Sequence, residues 1–507
     1  MFQVGLRRLR YLTLILGCSV WMIGTAQATQ VGAPGTEPGA QPRSALPADA
    51  KRNLERILRY NTPRGLTAMV RRARSVMFAK RSAGPQLGPA ITLPDAVEGK
   101  REIPVITLTF ADTGANPYPV ANLQKELFDG PWPTGTMKQY YEEISYGKFS
   151  VEGTAFEWTK LPKPELFYTG PAGCKGILCE ANFPNVAQMI REALAGVDAS
   201  VDYAKYDNDG PDGVPNSGDD DGFVDFVALV HPSAGGECTT SNGIWSHRYA
   251  LSSLTPGQDF ETADVGRSGL KIRVDDYVIM PAVACDRRTM IQIGVFAHEF
   301  GHAFGLPDLY DTDDAEASEG IGAWGLMGAG SWGGDGNDHP ESPSHMSAWC
   351  KEFLGWLHST NVDGDLIDVK LPSSGKFPSA LKIDIDNDRA YVIEYCRKEG
   401  FDRSLKASGL LVWAVKNSVI NAGLANNRVN ADENNKGIGL VEADGLGHLD
   451  RTINRADEGD VFPGSTGKSK FDNTTAPASM GNIALCNIRE QDGFITLDVF
   501  VTRSKCP

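Results

Sequence analysis

Apolar positions along the chain follow two periods, and the change between them divides it. In "NVAQMIREALAGV" (residues 185–197) the apolar residues fall three and four apart, which predicts an amphipathic helix. "GTMKQYYEEISYGKFSVEG" (135–153) predicts a helix ending near Gly147 and then a strand. "TMIQIGVFAHEFGHAFGL" (289–306) predicts a long helix stopped by Gly305, and "SPSHMSAWCKEFLGWL" (342–357) another ending near Trp356. Between them, "REIPVITLTFAD" (101–112) and "GFVDFVALVHPSAG" (222–235) are short apolar runs of strand character. Strand and helix alternate in this part, as in an α/β layer arrangement. After residue 360 the pattern shifts to short alternating or apolar runs between turn residues: "LIDVKLP", "LKIDID", "RAYVIEYC", "SGLLVWAVKN" and "FITLDVFVT". The expected organisation is an α/β (α+β) domain over 101–360 followed by a β-rich domain over 361–507.

The N-terminal hundred residues follow neither pattern. Arg7, Arg8 and Arg10 precede the apolar run "YLTLILGCSVWMIG", and Ala26-Gln27-Ala28 offers a small-x-small cleavage site, so 1–28 reads as a secretory signal peptide. The run is too short to span a bilayer comfortably, so no stable membrane insertion is expected. "LILGC" resembles a lipoprotein site, but apolar residues continue past Cys18, where a lipid-anchored cysteine would open the mature chain. Residues 29–100 combine a Gly/Pro/Ala/Gln-rich spacer with a basic, helix-compatible segment, "KRNLERILRYNTPRGLTAMVRRARSVMFAKR". Basic charge joined to an acidic body suggests a removable pro-segment that inhibits its own chain, with Lys80-Arg81 and Lys100-Arg101 as candidate processing points.

Composition narrows the classes. With 41% hydrophobic and 22% charged residues, the 507-residue chain is a soluble, globular, multidomain one. A net charge of -15 leaves nothing to neutralise phosphates, which argues against a nucleic-acid partner. Nine cysteines less Cys18 leave eight, an even number that favours disulfides in an exported protein. Cys174 and Cys179 close a short loop. Cys238 with Cys285, Cys350 with Cys396, and Cys486 with Cys506 are paired only by proximity along the chain, with buried free thiols as the alternative.

Only 8 histidines occur, and two of them stand in "HEFGHAFGLPD". Residues four apart share a helix face, so His298 and His302 can aim ring nitrogens at one ion, while Glu299 is offset to reach a water on it. Gly305 lets the helix end sharply, which returns Asp308 towards the same point. Two imidazoles, one carboxylate and one open position suit catalytic Zn2+, with Glu299 as general base. Glu316 or Glu319, in "DTDDAEASEG", is the rival third ligand. Met327, in the Gly-rich "GIGAWGLMGAGSWGG", resembles the Met-turn beneath the metal of metzincin proteases. The tyrosine that several of those proteases carry two positions later is replaced by Ala329, leaving Tyr310, His247 and His345 as alternative oxyanion donors. In "YDNDGPDGVPNSGDDDGFVD", Asp207, Asp209, Asp212, Asp219, Asp221 and Asp225 suit a Ca2+ loop that is not an EF-hand.

These segments, with "WGLMGAGSW", "IWSHRY", "HMSAWCKEFLGW", "YVIEYCRKEGFD", "GLLVWAVKN", "KGIGLVEADG" and "GDVFPG", give the chain a resemblance to the immune inhibitor A family of secreted bacterial metallopeptidases over about residues 100–480. The resemblance implies a zincin/metzincin-like endopeptidase domain, calcium sites, secretion with a pro-segment, and protein or peptide substrates. By position it makes His298, His302 and Asp308 the zinc ligands, Glu299 the base and Met327 the Met-turn. Trp413 to Lys416, "WAVK", departs from a more polar His/Asp-bearing version common in the family. The alternative is a catalytically silent adhesion protein on the same fold; the intact Glu299 and ligand triplet favour the enzyme.

Overall fold

The structure, a computed structural model, describes residues 97–208, 214–217, 220–238, 242–313, 317–334 and 340–507. The expected signal peptide, the spacer and the basic segment, with the candidate processing point Lys80-Arg81, lie outside the described residues.

The strands run in chain order β1 (Gly99–Thr109), β2 (Phe149–Lys160), β3 (Val227–Ala234), β4 (His247–Ala250), a hairpin of β5 (Phe260–Val265) and β6 (Lys271–Val274), and β7 (Asp276–Val283). Five of them form a sheet in the order β2-β1-β3-β7-β4. β2, β1, β3 and β7 are parallel, and β4 closes one edge antiparallel to β7. Strands buried on both faces read as continuous apolar runs, and successive residues of β3 enter opposite cores. Ala228 and Val230 join one cluster with the helices Met137–Ile144 and Ile293–Ala303, whereas Val227 and Leu229 join another with the helix Phe183–Val197. The chain is therefore mixed α/β in this region.

Local chemistry sets the helix ends. The Thr136 hydroxyl accepts from Gln139 N and the Gln139 side chain accepts from Thr136 N, a capping box that starts Met137–Ile144. The histidine helix begins at Ile293, later than its apolar pattern predicts. Met290 still bridges Val283, and Ile291 N donates to Ala282 O at 3.1 Å, so these residues extend the sheet first. The predicted helix at 342–357 shortens to Ala348–Phe353, capped by the Ser347 hydroxyl. Lys100 and Arg101, considered as a processing point, sit inside β1 opposite Ser150 and Val151, and Arg101 is buried 3.9 Å from Asp225. That places the pair in a paired strand rather than a linker.

Downstream come β8 (Thr360–Asn361), β9 (Leu366–Pro372), β10 (Leu381–Asp384), β11 (Arg389–Cys396), β12 (Gly409–Lys416), β13 (Ile438–Leu440), β14 (Ala484–Gln491) and β15 (Phe494–Phe500). They build a sheet β13-β12-β11-β10-β8 and a smaller one β14-β15-β9. The largest buried cluster does not stop at residue 360: Val392, Trp413 and Val415 belong to it together with Phe300, Phe304 and Trp356. Trp413, in the segment that departs from the family's polar version, donates from Nε1 to Glu394 at 2.6 Å. Downstream strands thus share a core with the histidine helix. No helix among the described residues is long and apolar enough to cross a membrane.

Disulfides join Cys174 to Cys179, Cys238 to Cys285 and Cys486 to Cys506. The fourth pairing expected from chain proximity is corrected: Cys350 and Cys396 are buried free thiols. Cys350 lies in the Ala348–Phe353 helix, whereas Cys396 ends β11 with its Sγ 3.4 Å from the Gly409 carbonyl. Burial pushes both thiols up, Cys350 to about 12, so neither is a reactive thiolate.

Candidate metal centre

All eleven residues of the Ile293–Ala303 helix are buried, and it carries His298 and His302 on one face with ring centroids 4.8 Å apart. Each Nδ1 lies 2.9 Å from a backbone carbonyl, Leu326 O for His298 and Leu306 O for His302. A carbonyl only accepts, so each neutral ring carries its proton on Nδ1 and presents a bare Nε2. Both Nε2 atoms lie 3.1 Å from Asp308 Oδ1.

Gly305, with φ +102°, supplies the left-handed turn that ends the helix, and Leu306 N donates back to Gly301 O at 3.0 Å. Asp308 is then fixed by Asn427 from beyond β12. Asp308 N donates to Asn427 Oδ1 at 2.7 Å, and Asn427 Nδ2 donates to Asp308 Oδ2 at 2.5 Å. Oδ1 stays turned to the histidines. Met327 is fully buried beneath the helix, so close that a Cβ at Gly301 would stand 2.7 Å from its Sδ. The same turn supplies Leu326 O to His298, and Met327 O accepts from Leu309 N at 2.8 Å.

Electrostatically the three groups are strongly coupled. Burial opposes charge on Asp308, yet the two imidazoles hold its carboxyl far below the usual range. Burial likewise disfavours a charged His298, and the Asp308 carboxylate nonetheless raises it to about 9. Zinc bonds of roughly 2.0–2.1 Å in a tetrahedron place donor atoms about 3.3 Å apart, close to the spacing here. Glu299 is 2% exposed, burial lifts its carboxyl to about 7, and its Oε2 has no hydrogen-bond partner among the described residues. A buried orphan acceptor beside a three-donor site is suited to a water. On donor chemistry and spacing, these residues fit a catalytic zinc.

The remaining expected residues divide. Glu319 does not join the site, because its Oε2 accepts from Arg455 Nε at 3.1 Å; Glu316 lies outside the described residues. Tyr310 stacks on His298 with centroids 6.3 Å apart. His247 is held by Trp245 O and the Tyr277 hydroxyl, and His345 by Glu143 and Lys351, so neither is available as an oxyanion donor there. Of the acidic loop, Asp209, Asp212 and Asp219 lie outside the described residues. Asp221 Oδ1 accepts from Phe223 N, Asp225 Oδ1 accepts from Asn208 N, and Asp207 is buried. Among the described residues these three form no metal-ligand group. Sequence reasoning missed Asn427 and the two carbonyls. Asn427 sits in the left-handed region at φ 55°, which a turn reading of "GLANNRVN" could suggest, but nothing local links it to Asp308.

Residues 124–358 match the family described as immune inhibitor A peptidase M6, catalytic domain. The chain is 32% identical over 253 residues to the pre-pro-metalloprotease PrtV of Vibrio cholerae serotype O1, a match covering 47% of this chain and 26% of the relative. It is 33% identical over 242 residues to immune inhibitor A of Bacillus thuringiensis subsp. alesti, covering 45% and 34%. The chain thus spans about a quarter to a third of the length of these curated relatives. His298, Glu299, His302, Asp308 and Met327 all fall inside the stretch, 124–358, that is similar to the catalytic domain of the immune inhibitor A (M6) peptidases.

Proposed function

We propose that the chain is an exported zinc endopeptidase that hydrolyses internal peptide bonds of proteins. The observation that carries this reading is the meeting of two Nε2 atoms and Asp308 Oδ1 beside the buried, unpartnered Oε2 of Glu299. When bound, zinc polarises the scissile carbonyl and acidifies the attacking water. His298, His302 and Asp308 hold the ion; Leu326 O, Leu306 O and Asn427 fix their orientation. Glu299 takes the proton of the attacking water and delivers it to the leaving amide nitrogen, the part of a positioned general base. Tyr310, stacked on His298, is the candidate donor to the developing oxyanion. Residues 361–507 act with the domain at 101–360 by supplying Asn427. The arginine-led apolar run supports export, and the basic charge of 29–100 supports a docked inhibitory pro-segment. The acidic loop from Asp207 to Asp225 is proposed to take Ca2+.

Purified mature chain incubated with casein is expected to release peptides with both ends internal to the substrate, as read by mass spectrometry. A zinc chelator stops the release and added Zn2+ restores it. Trimming of termini alone, or activity indifferent to chelation, overturns the reading.

A further inference from the structure

The segment 342–347 runs between the Met327 turn and the downstream strands, and both sides grip its backbone. On one side Ser344 N donates to Gly330 O at 2.9 Å, the Ser344 hydroxyl donates to Ala323 O at 2.8 Å, and Leu326 N donates to His345 O at 3.1 Å. On the other, His345 N donates to Asp402 Oδ1 at 2.8 Å, and the Ser342 hydroxyl donates to Phe401 O at 2.8 Å. Asp402 lies in the 3-10 turn Gly400–Ser404, between β11 and β12 and outside the stretch 124–358.

His345 touches both sides through its own peptide groups, and its ring is anchored as well. Lys351 Nζ only donates and lies 3.2 Å from Nδ1, so the ring proton sits on Nε2, 2.8 Å from Glu143 Oε1. Glu143 Oε1 also accepts from Phe401 N, next to Asp402 in the chain, at 2.9 Å. The approach is close: Gly400 has φ +55°, and a Cβ there would stand 2.1 Å from that oxygen. With ring and backbone both held, the His345 carbonyl has little freedom to turn.

A run of hydrogen bonds leads from this grip to the candidate metal ligands: Asp402 Oδ1 to His345 N, His345 O to Leu326 N, and Leu326 O to His298 Nδ1. All four residues are at most 4% exposed, so solvent does not replace a bond lost along it. We propose that Asp402 is a positioning residue for the metal site: by holding His345 N it sets, through Leu326 O, the direction in which His298 presents Nε2. The inference rests on the zinc reading above. It gives residues 361–507 a hold on His298 by a route separate from Asn427, which acts on Asp308.

The test uses the full mature chain. Metal-free protein labelled with 15N-histidine reports the His298 Nδ1–H, its signal assigned by loss in His298→Gln. Asp402→Ala is expected to speed exchange of that proton about tenfold and, with zinc restored, to lower kcat about tenfold at unchanged KM, the lower end of the range for an outer partner. The visible spectrum of the cobalt-substituted protein shifts in the same variant. Asp402→Asn, whose amide oxygen can still accept from His345 N, is expected to restore all three. A role in stability alone would show in Tm and leave exchange, kcat and spectrum of the folded protein unmoved. Glu143→Ala, at a half-buried position, frees the His345 ring and Phe401 N together and gives the same readouts should Asp402→Ala not fold. Wild-type exchange and spectrum in folded Asp402→Ala or Glu143→Ala, or failure of Asp402→Asn to restore them, overturn the proposal. The exchange measurement needs no metal, so it decides the relay separately from zinc uptake by wild type, whose failure would overturn the zinc reading.

Discussion

Glu299→Gln is expected to retain zinc and lose casein hydrolysis by about 10^2–10^4-fold, the contribution typical of a positioned general base. Glutamine keeps the shape and the buried position but cannot take a proton, so zinc content, Tm and fold should stay near wild type while kcat falls. The lone Oε2 explains the expected selectivity: among the described residues it holds no structural contact that the substitution would break. Equal hydrolysis by both proteins would end the assignment of the base and return the chain to a binding role. Parallel loss of zinc and activity would instead make Glu299 a structural residue.

Asp308→Ala has the largest expected effect on the metal itself. It removes the carboxylate that lies 3.1 Å from both imidazoles, so zinc is expected to dialyse away under conditions where wild type retains it. Asn427→Ala should be milder, weakening zinc by the roughly 10–100-fold typical of an outer partner, because Asp308 keeps its place in the chain but loses two hydrogen bonds. Glu319→Ala should leave occupancy unchanged, since Glu319 is turned to Arg455. Metal analysis after dialysis ranks the variants; full occupancy in Asp308→Ala would move the third ligand elsewhere.

What could be read from the sequence follows the range of the interactions. The histidine spacing, the stop at Gly305 and the return of Asp308 lie within eleven residues, where helix geometry and one left-handed glycine fix the outcome. The buried parallel strands were legible for a similar reason, since β3 is apolar along nearly its whole length. The start of the histidine helix was not, because Met290 and Ile291 have apolar side chains that suit either element and sheet pairing claimed them. Asn427 is 119 residues from Asp308, and Asp460 is 136 from Trp324. Contacts of that separation leave no local pattern. Cys350 and Cys396 carry the same lesson, as distance along a chain says little about which Cβ atoms meet.

The most direct measurement is anomalous diffraction from the mature protein on either side of the zinc absorption edge. The account predicts one strong zinc peak bonded to Nε2 of His298, Nε2 of His302 and a carboxylate oxygen of Asp308, with Glu299 outside bonding distance. A peak elsewhere, or Glu299 bound directly to the ion, would contradict it.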